Sequence, residues 1–140
     1  MIVYLDTSSL VKLYVEEEDS SMIADLVSSA TVVATSLVAY TEARSAFARR
    51  LREKAFNRGE YKKIVAGLDR DWERFMALSV TRELVWTAGD FAEKHRLRGF
   101  DAIHLASAAI LKQEISGHVL FSCADQRLQK ASKREGLEQP

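Results

Sequence analysis

One cysteine, Cys123, one proline, Pro140, and six glycines are all that 140 residues contain of these types. A single thiol excludes an internal disulfide and any CxxC metal pair, which predicts a reducing, cytoplasmic setting. No apolar run approaches the roughly 18 residues of a membrane helix, and no basic-then-apolar leader opens the chain, so neither membrane insertion nor secretion is expected. Net charge is missing too, since twenty acidic side chains balance twenty basic ones. With 47% apolar and 29% charged residues, the chain is neither disordered nor of low complexity. There are no repeats and no linker. A single domain over residues 1–140 is expected to bury roughly two thirds of the surface its unfolded chain exposes.

The charges that are present are unevenly placed. Residues 1–43 carry seven acids against Lys12 alone, and residues 44–63 carry eight bases against Glu53 and Glu60. Two solvated helix faces that attract each other explain this more simply than a polyanion track beside a metal site.

The most informative stretch is the first, Met1 to Ser8, an apolar run that stops on Asp6, Thr7 and Ser8. It reads as a buried central strand with an acid at its carboxyl end, where open α/β sheets place their ligands. Ser8 or Ser9 can cap a short helix, and Ser20 or Ser21 can start a second whose Met22, Ile23, Leu26, Val27 and Ala30 should pack on the sheet. Thr31 to Thr35 is β-branched and predicts a second strand, with Ser36 placed to cap a helix from Leu37 to about Ala55. Glu42 lies near the start of that helix, past its first turn. Tyr61 to Phe75 continues with helical spacing and predicts an antiparallel hairpin with its predecessor, its aromatics in the core.

Met76 to Val80 reads as a third strand, followed by a helix from about Arg82 to Arg96 with Leu84, Val85, Ala88, Phe91 and Ala92 inward. From Ala102 to Leu111 nearly every residue is apolar, so this helix should be surrounded by protein, with Asp101 in its first turn. His118 to Ser122 reads as a fourth strand followed by Asp125, and a last helix ends near Gly136. Any fifth strand would be very short. The pattern is α/β, with a mostly parallel four- or five-stranded sheet flanked by helices.

Right-handed crossovers place the ends of such strands on one edge of the sheet, so Asp6, Glu42, Asp101 and Asp125 are expected to converge. Clustered carboxylates stay ionised only beside cations, and hard oxygen ligands select Mg²⁺ or Mn²⁺. Such ions activate water for displacement at phosphorus, which suggests phosphodiester hydrolysis. A single Asp after a strand is more often a helix cap. Four at matching positions are harder to explain that way. Ser8 is a candidate hydrogen-bond partner to a ligand, and Arg44, Arg49 and Arg50 are candidates for steering a phosphodiester backbone. His104, three residues after Asp101, is read as a core histidine.

At Tyr4 to Tyr14, Ser36 with Glu42, Phe100 to Ala106, Asp125 to Leu128 and Gly136-Leu137, the chain resembles the PIN-domain ribonucleases, and within them the VapC toxins of toxin–antitoxin pairs. The resemblance implies a PIN-like α/β/α domain and an Mg²⁺- or Mn²⁺-dependent endoribonuclease with Asp6, Glu42, Asp101 and Asp125 as its acidic cluster. It also implies an RNA substrate, inhibition by a cognate antitoxin, and a homodimer. Two features depart from the family pattern. Cys123 stands where a serine or threonine is usual two residues before the last acid, and the sequence stops soon after Leu137.

Other classes fit less well. A haloacid-dehalogenase-like phosphatase would carry Asp-x-Asp, and Ser8 occupies the second place. A receiver-like module would need paired acids after the first strand. A catalytically silent PIN-like module that only binds protein or RNA would be expected to have lost acids, and all four are present.

Overall fold

The computed structural model describes all residues from Met1 to Pro140. Strand β1 (Ile2–Leu5) is followed by helices α1 (Thr7–Val11) and α2 (Ser20–Ser29). Next come β2 (Val32–Ser36), the helix pair α3 (Ala39–Arg52) and α4 (Arg58–Trp72), and β3 (Met76–Leu78). A second pair, α5 (Arg82–His95) and α6 (Gly99–Ile115), leads to β4 (Val119–Ser122) and α7 (Gln126–Arg134). The sheet has the order β3-β2-β1-β4, and every pairing is parallel. A fifth strand is reduced to one bridge between Leu120 and Glu138. Gly136 makes it possible. Its φ is +81°, and a Cβ there would meet the Lys112 ammonium at 2.5 Å.

Alternation along the strands sorts side chains into two cores. Tyr4, Ala34, Val119 and Phe121 face α5, α6 and α7, with Leu105 and Leu128 among their partners. Val3 and Leu5 face the other way, toward Leu10, Ala43, Phe47 and Leu68 of α1, α3 and α4. The result is a three-layer α/β/α sandwich. Helix α6 is as central as its composition predicts, since Ala102, Leu105, Ala106, Ala108 and Leu111 are all buried.

The helix pair α3–α4 is antiparallel. Tyr40, at the start of α3, bonds Asp69 at 2.6 Å and packs its ring 5.3 Å from that of Trp72, at the end of α4. Trp72, like Tyr61 and Phe75, is partly buried and packs against the core, the side that its spacing predicts.

Several local expectations are corrected. Asp6 itself caps α1 by accepting from the Ser9 amide, and Ser8 and Ser9 lie inside the helix. Helix α3 begins at Ala39, because Leu37 and Val38 form a turn in which the Ser36 hydroxyl accepts from Val38 N, so Glu42 falls in the first turn and not past it. Helix α2 reaches the core chiefly through Ile23, and Met22 is 48% exposed. Val85 is exposed beside Trp86 on the outer side of α5. Periodicity identified the apolar faces of these two helices, but each face is wider than the contact it makes.

Candidate metal and nuclease site

Strands β2 and β4 flank β1 on opposite sides, so the chain direction across the sheet reverses at the β1–β4 junction. That is the switch point at which parallel sheets leave a crevice beyond their carboxyl ends. Asp6 follows β1 there, and Cys123, Ala124 and Asp125 follow β4. The Asp6 amide donates to the Ser122 carbonyl at 3.1 Å, which locks the two strand ends together.

Asp6 is 5% exposed. Its Oδ1 accepts from the Ser9 amide at 3.0 Å and the Ser8 hydroxyl at 2.7 Å, while Oδ2 receives no hydrogen bond from the protein. Ser8 is thus the hydrogen-bond partner anticipated from sequence, and its oxygen also accepts from Ala124 N at 3.2 Å. Burial raises the pKa of Asp6. The charge of His104 and the bonds from Ser8 and Ser9 work against burial, and Asp101 adds to it.

Glu42 is held more elaborately. Its Oε1 accepts from Thr7 Oγ1 at 2.5 Å and lies 3.0 Å from His104 Nε2. On the other side of the ring, His104 Nδ1 lies 2.8 Å from the Tyr4 hydroxyl. A carboxylate only accepts, so the hydrogen shared between His104 and Glu42 is carried by Nε2. Burial opposes ionisation of Glu42, but the bonds from His104 and Thr7 and the charge of His104 outweigh it and lower its pKa.

Asp101 occupies the first turn of α6, 3.5 Å from Arg98 Nε. Asp125 is exposed and caps α7, accepting from Leu128 N at 2.9 Å. Asp6, Asp125 and Asp101 all bear on the partly buried Cys123 thiol: after burial, their charges push its pKa upward. The Ser122 hydroxyl does not replace the missing one at Cys123, since it is buried 2.8 Å from Ser9 Oγ.

The four acids therefore lie at one edge of the sheet, but not in one clasp. No three of the Asp, Glu, His and Cys side chains are gathered closely enough to grip a single ion. The donor chemistry nevertheless suits a hard divalent cation. A buried carboxylate with an oxygen left without a donor, its ionisation opposed by burial, is a group that a cation would stabilise.

His104 is the buried, hydrogen-bonded core histidine that its setting predicts, but sequence reasoning missed that its partners are Tyr4, Thr7 and Glu42. The available signals were a tyrosine inside an aliphatic strand and the three-residue spacing of Asp101 and His104. Two of the three expected steering bases have partners within the protein. Arg50 pairs with Glu17 at 2.5 Å, and Arg44 bonds the Tyr40 hydroxyl at 2.9 Å, so both are engaged on the α3 surface. The attraction between acidic and basic stretches thus has a direct instance in Glu17–Arg50.

The PIN domain family model matches residues 3–134, a span that includes all four acids. The chain belongs to the PIN-domain family. Two Mycobacterium tuberculosis proteins, Ribonuclease VapC45 and Ribonuclease VapC49, are each 40% identical to it over 111 residues, covering 76% of this chain and 74% of theirs. Its fold is that of the crystal structure of Mycobacterium tuberculosis VapC20, a Sarcin-Ricin loop cleaving toxin. The two superpose with a TM-score of 0.68 at 18% identity, over 92% of this chain and 94% of that one. This PIN domain is thus VapC-like, and none of its helices is long and apolar enough to cross a membrane.

Proposed function

We propose that this PIN-domain chain is a metal-dependent endoribonuclease, the cytoplasmic toxin of a toxin–antitoxin pair, restrained by a cognate antitoxin and acting as a homodimer. The observation that carries the reading is Asp6, a buried carboxylate at the β1–β4 switch point with one oxygen free and Asp101 close enough to raise its pKa. Relatives named ribonucleases support it.

Asp6 and Glu42 would hold the cation, Mg²⁺ or Mn²⁺, with Asp101 and Asp125 completing the set. When bound, the ion supplies the charge that activates water and stabilises an in-line displacement at phosphorus. The chain's own contribution is positioning. Ser8 and the Ser9 amide fix Asp6 through Oδ1, and Thr7 and His104 fix Glu42 through Oε1, so each acid keeps its second oxygen available. Tyr4 prevents the His104 ring from turning.

The test is RNA cleavage by the purified chain with Mg²⁺ or Mn²⁺, compared with EDTA and with Asp101→Asn. Both treatments are expected to abolish cleavage. Cleavage that survives chelation and the substitution would remove the metal–carboxylate mechanism. Binding of RNA without cleavage under any metal would instead indicate a silent module.

A further inference from the structure

Beside the acids, the edge of the sheet opens into a cleft of about 700 Å³ between the α5–α6 turn and α7. Its walls carry Arg96, Arg98, Arg127 and Lys130 together with Asp101 and Asp125. Four cations to two anions is a local excess in a chain whose charges cancel overall. Only Arg98 is near an acid, with Nε 3.5 Å from Asp101 and a side chain that is 85% exposed. The other three form no ion pair. None of the eight bases in residues 44–63, the densest basic stretch of the sequence, lines this cleft.

One of the four cations is also pinned. Arg127 Nη1 donates to the Arg96 carbonyl at 3.1 Å, which ties α7 to the end of α5. A guanidinium has five N–H donors in a rigid fork, so the remaining ones stay available for an anion at a reduced entropic cost. Apart from Leu97 and Ala124 the lining is polar, which leaves little to bury the apolar side chains of a protein segment.

We infer that this cleft receives the sugar–phosphate backbone of RNA on one side of the bond to be cleaved, with Arg96, Arg98, Arg127 and Lys130 neutralising successive phosphates. The naming of RNA as the polyanion rests on the ribonuclease reading. The continuity of the cleft with Asp101 and Asp125 is what joins the two, because a strand whose phosphate reaches those acids extends its neighbouring phosphates over these bases. The bases position the strand and read no sequence.

The experiment measures binding separately from cleavage. Anisotropy of a fluorescein-labelled 20-nucleotide oligouridine is followed with the full chain in EDTA over a series of salt concentrations. For Arg127→Ala/Lys130→Ala, the slope of log affinity against log salt is expected to fall by about 1.4, two contacts on a single strand, with affinity down roughly tenfold or more at low salt. Lys62→Ala/Lys63→Ala, on the exposed surface of α4, removes the same charge elsewhere and is expected to leave the slope unchanged. An unchanged slope for the α7 pair, an equal loss in the α4 pair, or no binding by the wild type overturns the inference. So does displacement of the RNA by polyglutamate as strongly as by unlabelled oligouridine, which would assign the cleft to an acidic protein segment. Salt-dependent binding that requires the α7 pair, with no cleavage in any metal, upholds the cleft and sinks the nuclease reading instead.

Discussion

His104 Nε2 lies 3.0 Å from Glu42 Oε1 across 62 residues of chain. The ring is 2% exposed and is held from behind by Tyr4, so the carboxylate is aimed by a fixed group and not by a mobile one. Replacing His104 with Ala leaves a cavity and a buried tyrosine hydroxyl without its partner, at a cost of about 2–4 kcal/mol. Cleavage by His104→Ala is expected to lose roughly 10- to 100-fold in kcat, the usual penalty for losing a group that orients a ligand, with KM little changed. His104→Gln, whose amide can restore a donor to Glu42, should recover most of that loss. Equal kcat values for the two variants would show that only the packing of the ring matters.

Asp6 is expected to oppose the stability of the fold it serves. Burial is the main cause of its raised pKa. Its folded value is above the unfolded one, so its contribution to stability is full below pH about 3.9 and is lost as pH rises through the folded value. At pH 7 the ionised form is therefore a burden. Asn caps a helix as well as Asp does and carries no charge. Asp6→Asn should melt above the wild type at pH 7, by about 2–4 °C for each kcal/mol relieved, with the gap closing toward pH 3. Added Mn²⁺ should raise the Tm of the wild type and not that of the variant. A variant that melts lower at pH 7 would remove the argument.

Asp125 has a structural role that can hide a chemical one. Its side chain caps α7 through the Leu128 amide, so Asp125→Ala should cost about 1 kcal/mol whatever else the residue does. Asp125→Asn keeps the cap. If Asp125 serves the metal, the Asn variant should match the wild type in Tm and still lose cleavage. Full cleavage by Asp125→Asn would make it a cap alone.

A clasp between α5 and the end of α7 gives an acid-sensitive contribution. Glu135 Oε2 lies 2.6 Å from His95 Nε2 and 2.8 Å from Lys94 Nζ, joining the end of α5 to the residue that closes α7. Burial works against its ionisation, yet the bonds and charges of Lys94 and His95 prevail and lower its pKa. A lowered folded value contributes stability above the unfolded pKa of about 4.3 and loses it as pH falls through the folded one. Glu135→Gln should therefore melt below the wild type at pH 7, and the two curves should converge as pH drops below about 4. A difference that stays constant with pH would assign the effect to packing.

Asp6 was legible because an aliphatic strand that ends on an acid has few readings, and α6 because its residues are apolar all round. The linkage of Tyr4, His104, Glu42 and Thr7 was not, since it depends on the order in which strands lie side by side and no local pattern encodes that order. The same limit hid Arg127 and Lys130, which stand 26 or more residues from Asp101 in sequence yet share a cleft with it, while none of the conspicuous bases of α3 and α4 lines that cleft. Capping was misassigned at Ser8 and Ser9 because an aspartate at a strand end can stop the strand and start the helix at once.

Strand β1 pairs with β2, about 30 residues on, and with β4, about 117 residues on. The turn that presents Asp6 is completed by the Ser122 carbonyl and by the Ala124 amide on Ser8. Chains emerge from the ribosome amino terminus first, at about 5–20 residues per second. A nascent copy thus exposes its first strand for several seconds before the segment that finishes the site has been made. Synthesis itself thus delays assembly of the acidic edge until β4 and the turn that follows it have been made.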